Sequence, residues 1–279
     1  MLMVTYNIQW GKGRDGRIDL ARIARTVQGA DVIALQEVER NWRDQDHPDQ
    51  AQHLAELLPG YDWVYGAAVD LSGGAPGTRR QIGNMVLSRW PIESCRTLPL
   101  PAWPVLGHVN DHQSAIEAVI GRGASSLRIY NTHLNYMSDE QRADQAARLC
   151  AMVAEAPACG GAVSAPGRQA LGPGDEWIVL TDGRFPEMPE AAVLLGDLNA
   201  GPAAPEFSAI RALGFVDALS LAGLGDDEGV TFPGGGIEPP QRLDHIFLNQ
   251  HLLSRFRRAW IDEAADGSDH QPVWLELNE

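Results

Sequence analysis

The chain has 279 residues, a formal net charge of −15 at pH 7 and a pI near 4.9. Its 44% hydrophobic and 21% charged residues are typical of a globular protein with a sizeable core and exclude a disordered chain. The acidic charge repels polyanions, so nucleic acid is possible as a partner but disfavoured, although carboxylates that bind a metal would account for part of the excess.

The first predicted elements are a strand, a helix and a second strand. Residues 2–8 are an apolar run, residues 18–28 have helical periodicity with Leu20, Ile23 and Val27 on one side, and residues 31–36 are again apolar. Strand, helix and strand at this spacing predict a right-handed parallel crossover.

The middle of the chain continues with mixed elements. A helix is predicted over 50–58, and strands over 63–66 and 84–88 flank a glycine-rich loop at 72–77. Residues 115–120 and 127–133 predict a strand pair. They are followed by a helix over 139–153 with Ser138 as its N-cap. The alternation of strands and helices indicates an α/β fold.

The last part contains a segment of unusual composition. Residues 156–189 are rich in Gly, Pro and Ala and are interpreted as an insertion, interrupted by a strand-like stretch at 177–180. Strands are predicted over 193–196, 242–248 and 272–277, and a short helix over 206–213.

Cysteine usage and hydropathy bear on compartment. Cys95, Cys150 and Cys159 are odd in number and lack metal-site spacing, which predicts reduced thiols and a cytoplasmic protein. No run approaches about 18 apolar residues, so no integral membrane association is expected. The oligomeric state is left open.

Small polar clusters stand at the ends of several apolar strands. Carboxylates, amides and histidines delivered to one rim would make a site. The residues with this placement are Asn7, Glu37, His133, Asp197, Asn199, Asp244, His245, Asp269 and His270. Taken singly, each is more typical of a turn or of a structural histidine than of a catalytic group.

Together these residue types suit hydrolysis of a phosphate ester. The oxygen ligands of Asn7, Glu37 and Asp269 favour magnesium or manganese over zinc. Carboxylates, a metal and histidines can neutralise phosphoryl charge, activate water and stabilise the leaving oxygen.

Seven ordered motifs resemble the endonuclease/exonuclease/phosphatase family, which includes pancreatic-type deoxyribonuclease and neutral sphingomyelinase. They run from Thr5 to Val273 and read TYNIQWG, ALQEVER, GNMVLSRWPI, NTHL, LLGDLNAGP, RLDHIFL and SDHQPV. The resemblance implies a four-layered α/β/β/α sandwich, with two mostly antiparallel mixed sheets face to face and helices outside. It also implies that residues 1–279 form a single domain.

The resemblance assigns roles to the polar residues. Asn7 and Glu37 would bind a divalent cation, with Asp269 as a further ligand or close neighbour. Asp197 would orient or deprotonate the attacking water, and Asn199 would hold the phosphate. His270, oriented by Asp244, would stabilise phosphoryl charge. His133 would contact phosphate or protonate the leaving group, while His245 is predicted to be structural.

One departure concerns the partner of His133. Some nucleases of the family have a carboxylate near the strand that GNMVLSRWPI resembles, and none occurs between Thr78 and Ser88. Three substrate-binding candidates lie in or near these motifs: Asn84, which could contact phosphate, and Arg79 and Arg80, which are either phosphate-binding cations or a solvated loop. Trp10, close behind the first metal-ligand strand, is a candidate for the site mouth.

Three functions remain open from the sequence. The first is a metal-dependent phosphodiesterase or phosphatase acting on a small or lipid-derived ester. The second is an endonuclease, exonuclease or DNA-repair nuclease, which the acidic charge and the lack of a Lys/Arg-rich segment with aromatics disfavour. The third is a noncatalytic protein that binds a phosphate ligand.

Overall fold

A computed structural model describes residues 1–43, 47–104, 106–107, 109–121, 126–160, 162, 188–234 and 238–278. Its strands are β1 (Leu2–Asn7), β2 (Val32–Arg40), β3 (Asp62–Ser72), β4 (Arg79–Ser88), β5 (Ile92–Pro99), β6 (Ser114–Ile120), β7 (Leu127–His133), β8 (Ala192–Asp197), β9 (Val216–Asp217), β10 (Asp244–Leu248), β11 (Phe256–Ile261) and β12 (Val273–Leu277). Its α-helices are α1 (Leu20–Val27), α2 (Gln50–Leu57), α3 (Asp139–Cys159), α4 (Ser208–Ala212) and α5 (Ala218–Leu221).

The strands form two six-stranded sheets within the described chain. The first has the order β11-β12-β1-β2-β4-β3 and the second the order β5-β6-β7-β8-β10-β9. Only β1 with β2 and β7 with β8 pair in parallel, and the other pairs are antiparallel. The predicted parallel crossover through α1 is therefore confirmed.

Three apolar clusters show the layering. One lies between the sheets and joins residues such as Met3 and Val32 of the first sheet to Ile129 and Val193 of the second. A second packs α1 and α2 on the outer face of the first sheet. A third packs α3 and α4 on the outer face of the second sheet. The fold is thus the predicted α/β sandwich with helices outside.

Several element boundaries differ from the prediction. Strands β5, β9 and β11 and helix α5 were not predicted, because β5 and β11 are half-exposed edge strands and β9 and α5 are very short. Helix α3 continues to Cys159, into the segment interpreted as an insertion, and its N-cap is Ser138 as predicted. The short predicted helix at 206–213 is a 3-10 turn at Pro205–Phe207 followed by α4. The strand-like stretch at 177–180 lies outside the described residues.

Strand alternation decides which polar residues face the space between the sheets. On β8, Val193 and Leu195 belong to the cluster between the sheets, so Asp197 continues the same face. The same rule puts Asn7 of β1, His133 of β7 and Asp244 of β10 on the inner face, near the strand ends. These residues therefore converge at one rim of the sandwich.

Glu37 reaches that rim through a β-bulge. Leu35 and Val38 both pack in the outer cluster with α1 and α2, although simple alternation would put them on opposite faces. The register between β2 and β4 shifts between these two residues, and Glu37 has a φ of 57°. The extra residue of the bulge lets both Gln36 and Glu37 leave the outer face.

Candidate active site

A cavity of about 560 Å³ opens at the rim where the two sheets meet. Most of the polar residues singled out in the sequence line it: Trp10, Glu37, Asn84, His133, Asp197, Asn199, Asp269 and His270. Asn7 and Asp244 are fully buried behind this lining, where each contacts a residue that does line the cavity. The sequence motifs thus meet in one place despite separations of up to about 260 residues.

Asn7 links two carboxylates at the floor of the cavity. Its Nδ2 donates hydrogen bonds of 2.9 Å both to Oε1 of Glu37 and to Oδ2 of Asp197. Its Oδ1 accepts from the backbone N–H of Gln9 at 3.0 Å. Burial raises the pKa of Glu37, while His133 and Asn7 oppose this shift. The half-buried carboxylate of Glu37 and the buried carboxylate of Asp197 therefore share one neutral donor.

Asp269 is held separately from that pair. Nε2 of Gln9 donates to its Oδ2 at 2.6 Å, and the Ser268 hydroxyl donates to its Oδ1 at 3.2 Å. Gln9 thus couples the turn after β1 to the turn before β12. Gln9 lies within the TYNIQWG motif but was not predicted to take part in the site.

His270 forms a carboxylate–histidine pair with Asp244. Its Nδ1 lies 2.7 Å from Oδ2 of Asp244, and its Nε2 lies 3.7 Å from Oδ2 of Asp197. Burial alone would lower the pKa of His270, but Asp244 and Asp197 outweigh it and raise that pKa to about 10. The two carboxylates thus favour the protonated ring, and its Nε2 points toward Asp197 in the cavity lining.

Thr231 fixes the backbone beneath this pair. Its hydroxyl accepts hydrogen bonds from the N–H groups of Leu243 at 2.9 Å and Asp244 at 3.0 Å, and its carbonyl accepts from Gln271 at 2.6 Å. Thr231 therefore joins the strand of Asp244 to the turn of His270. Nothing in its sequence neighbourhood indicates this role.

His133 contacts Asn199 and also lies close to Asp197. Nδ2 of Asn199 lies 2.9 Å from Nε2 of His133 and 3.0 Å from the carbonyl oxygen of Leu134. Because Nδ2 is a donor, His133 accepts through Nε2 in this arrangement. The same Nε2 lies 3.5 Å from Oδ2 of Asp197.

Backbone strain is concentrated at the cavity. Among the described residues, five non-glycine residues have positive φ, and four of them line the cavity: Gln9, Trp10, Glu37 and Asn199. Such conformations persist only where surrounding contacts impose them, and they are enriched at functional sites.

A buried amide network ties the two sheets together below the cavity. Nε2 of Gln36 donates to Oγ1 of Thr5 at 3.0 Å and to Oδ1 of Asn131 at 2.7 Å. Nδ2 of Asn131 donates to the carbonyl oxygens of Leu35 at 3.0 Å and Met85 at 2.9 Å. Asn84 adds a bond of 2.8 Å to the carbonyl oxygen of Ser114. These bonds fix the spacing of the strands that deliver the site residues.

Two predicted substrate-binding residues do not line the cavity. Nε of Arg79 pairs with Oδ1 of Asp70 at 2.7 Å on the exposed β3–β4 hairpin. The guanidinium of Arg80 stacks 4.8 Å from the ring of Trp42. Trp10 does line the cavity, and the guanidinium of Arg43 lies 4.1 Å from its ring.

Other lining residues come from loops that the sequence analysis did not single out. They are Asp111, His112, Gln113, Tyr136, Phe232, Glu238 and Gln241. Phe232 packs 5.1 Å from the ring of His270. No Lys or Arg is among the described residues that line the cavity, whereas five acidic residues are. Loop residues without strand-end placement leave no periodic signal, so only their position in space identifies them.

A family model described as "Endonuclease/Exonuclease/phosphatase family" matches residues 4–270. The chain belongs to this family. The resemblance of the seven motifs is thereby confirmed, and members of the family are generally phosphoester hydrolases. No curated protein matches the sequence significantly.

Solved structures of the family share the fold. An endonuclease/exonuclease/phosphatase from Beutenbergia cavernae DSM 12333 is 23% identical, with a TM-score of 0.69 over 100% of this chain and 72% of that one. A mannosyl-6-phosphatase from Bacteroides thetaiotaomicron VPI-5482 is 18% identical, with a TM-score of 0.66 over 100% of both chains. TDP2 from C. elegans is 16% identical, with a TM-score of 0.62 over 100% of this chain and 75% of that one.

The residues at the cavity floor fit the divalent metal that members of this family generally use. The cavity lining has carboxylates but no Lys or Arg among its described residues, and a divalent cation would offset their charge. Asp197, Asp244 and His270 each bring a ligand atom within 4.8 Å of the others. Asp244 already pairs with His270, and a hard cation prefers oxygen ligands of the kind that the sequence predicts in Asn7, Glu37 and Asp269.

None of the helices in the described ranges combines the length and the apolar character that a membrane crossing requires.

Proposed function

We propose that this protein is a divalent-metal-dependent phosphodiesterase or phosphatase that acts on a small or lipid-derived phosphate ester. The observation that carries the proposal is the position of Asp197. Its Oδ2 lies 3.5 Å from Nε2 of His133 and 3.7 Å from Nε2 of His270, and it accepts from Asn7. A carboxylate between two histidines and a set of oxygen ligands suits the activation of water beside a phosphate.

Asn7, Glu37 and Asp269 would hold magnesium or manganese. When bound, the cation supplies charge neutralisation for a phosphoryl oxygen and for the leaving oxygen. The network of Asn7, Gln9 and Ser268 keeps the ligand side chains in place beforehand.

Asp197 would take a proton from the attacking water. The water oxygen forms a bond to phosphorus as the bond between phosphorus and the leaving oxygen breaks. The carboxylate is 1% exposed, and its second oxygen already accepts from the backbone N–H of Asn199 at 2.9 Å. Its orientation is therefore fixed before the substrate arrives.

His270 would stabilise the negative charge on the phosphoryl oxygens. Asp244 and Asp197 raise the pKa of the ring, which favours its cationic form and therefore a role as a hydrogen-bond donor. Asp244 orients the ring through Nδ1 and leaves Nε2 to face the substrate.

Asn199 and His133 would act together on the remaining oxygens. Nδ2 of Asn199 is shared between Nε2 of His133 and the carbonyl oxygen of Leu134. When Asn199 turns to hold the phosphate, Nε2 of His133 is released from that donor. The histidine can then contact the phosphate, or, once Nε2 has taken up a proton, protonate the leaving oxygen.

The charges and aromatic rings around the cavity favour a small organic ester over a polynucleotide. The described lining has five acidic residues and no Lys or Arg, and a polyphosphate backbone requires cations along its path. Trp10, backed by the Arg43 guanidinium at 4.1 Å, offers a ring face to the organic part of the substrate.

The proposal is tested with Asp197→Ala and His270→Ala in the hydrolysis of bis(p-nitrophenyl) phosphate with manganese. Each variant should lower kcat/KM at least ~100-fold, because it removes a proton acceptor or a charge-stabilising donor. Asp144→Ala and His251→Ala, which change exposed residues of the same types, are the matched controls and should stay near the wild-type rate. Near-normal rates for both Asp197→Ala and His270→Ala would contradict this assignment of the active site.

A further inference from the structure

His245 is fully buried on the outer face of the second sheet, away from the cavity. It follows Asp244 on β10, so strand alternation turns its side chain to the opposite face. There its ring packs edge-on against Phe207, at 5.0 Å, and near Phe247, at 5.6 Å. Apolar packing accounts for the ring but not for its two nitrogen atoms.

Both nitrogens of His245 face oxygen acceptors. Nδ1 lies 2.7 Å from Oδ2 of Asp217, and Nε2 lies 3.0 Å from the carbonyl oxygen of Ala200. Neither acceptor can donate a hydrogen when Asp217 is ionised, so both contacts are hydrogen bonds only if both nitrogens carry hydrogen. With Nδ1 paired to Asp217, the ring directs Nε2 at a backbone carbonyl.

Asp217 is itself held in place. Its Oδ1 accepts from the N–H groups of Leu219 at 2.7 Å and Ser220 at 3.2 Å, which caps helix α5. Burial alone would raise the pKa of Asp217, but the hydrogen bond and charge of His245 outweigh it and lower that pKa. The carboxylate is thus a fixed anchor for the ring of His245.

The carbonyl that His245 binds belongs to the residue after Asn199. Asn199 has a φ of 50°, in the left-handed region. Asparagine adopts this conformation more readily than most residues, but contacts with the surrounding structure are needed to maintain it. On the cavity side its N–H is bound by Asp197 and its side chain by Leu134 and His133. On the far side the hydrogen bond from His245 to Ala200 restrains the same turn.

We propose that His245 is a positioning residue for Asn199, acting through the carbonyl of Ala200, with Asp217 orienting the ring. This inference rests on the proposed function, in which Asn199 holds the phosphate. It assigns a role to a histidine that the motifs alone mark as structural. The contribution is indirect, since His245 is not among the residues that line the cavity.

A double-mutant cycle with Asn199→Ala tests the proposal, using kcat and KM for bis(p-nitrophenyl) phosphate with manganese. His245→Leu should lower kcat/KM about tenfold, because a misplaced binding group costs rate. His245→Gln, whose amide can still donate to Ala200, should recover most of the loss. In the Asn199→Ala background, His245→Leu should change kcat/KM less than about twofold.

If His245→Leu does not fold, Asp217→Asn is the second variant. An asparagine has nearly the same side-chain volume as Asp217, and its amide oxygen can still cap α5. Asp217→Asn should also lower kcat/KM, and this loss should again vanish in the Asn199→Ala background. His251→Leu, at an exposed position, is the matched control. Thermal unfolding of each variant is followed by circular dichroism in parallel.

Multiplicative losses in the double variants would overturn the inference, because His245 would then act independently of Asn199. A stable His245→Leu variant with the wild-type kcat/KM would overturn it as well. If Asn199→Ala alone keeps the wild-type rate, Asn199 does not hold the phosphate. The positioning role of His245 is then wrong as well. Loss of activity in Asp197→Ala together with multiplicative losses would leave the proposed function standing and remove only the positioning role.

Discussion

Single residues in this protein owe their charge states to specific buried partners. The pKa of His270 is raised because two carboxylates face it, and the pKa of Asp217 is lowered because it pairs with His245. Burial opposes the charged form in both cases, so the partner's contribution decides the outcome. Replacing one partner therefore alters the other residue's protonation as well as removing a contact.

Asp217 gives a prediction for the pH dependence of stability. Its pKa is lowered below the ordinary 3.8 in the folded state, so the unfolded chain takes up this proton first as the pH falls. The stabilisation is complete above the unfolded value and is lost as the pH falls through the folded one. Asp217→Asn should therefore lower the free energy of unfolding by about 1–3 kcal/mol at pH 7.

The difference between wild type and Asp217→Asn should shrink as the pH falls below about 3.8. Urea unfolding between pH 3 and pH 7, followed by circular dichroism, measures it. Asp144→Asn, at an exposed position on α3, is the control. A difference that is constant across this range, or that grows in acid, contradicts the ion-pair account.

At the scale of elements, strand periodicity carries most of what the sequence reveals. Alternation on β1, β7, β8 and β10 predicts which of Asn7, His133, Asp197 and Asp244 point inward. Alternation predicts the wrong face for Glu37, because β2 continues to Arg40 through a bulge that no residue pattern predicts. Glu37 was still predicted as a site residue, because the predicted strand at 31–36 ends just before it and because it lies in the ALQEVER motif.

Other parts of the site were beyond sequence reasoning for a physical reason. Gln9, Thr231, Asp111 and Glu238 lie on turns or loops, and their positions depend on contacts between segments distant in the chain. Edge strands such as β11 are exposed on one side and have weak apolar signals. The roles of individual site residues, and the single domain with an insertion at 156–189, remain predictions.

The parallel pairing of β7 and β8 depends on the glycine before Asp197. Gly196 has a φ of 140°, and a Cβ atom there would overlap the carbonyl oxygen of Thr132. Gly196→Ala should therefore lower the free energy of unfolding by at least ~3 kcal/mol, through strain and loss of strand pairing. Thermal or urea unfolding measures the change.

Gly201 offers a matched control five residues along the same segment, because an added Cβ there meets nothing within 4 Å. Gly201→Ala should leave stability within about 0.5 kcal/mol of the wild type. Equal stability of the two variants would contradict the close approach of β7 and β8.

At the scale of the whole molecule, charge and cavity point to the same class of substrate. The net charge of −15 and the acidic cavity lining both disfavour a long polyanion. The fold itself does not decide the matter, since it is shared with proteins whose names include a mannosyl-6-phosphatase and TDP2. The choice rests on the residues around the cavity.

The most direct test is the initial rate of hydrolysis of bis(p-nitrophenyl) phosphate, p-nitrophenyl phosphate and supercoiled plasmid by the purified protein, with magnesium, manganese or a chelator. The account predicts release of p-nitrophenol from at least one small ester with metal, none with chelator, and no nicking of the plasmid. Nicking of the plasmid alone, falling steeply with salt, would make the nuclease the better assignment. No turnover of any substrate with either metal, or turnover that survives the chelator, would contradict the account.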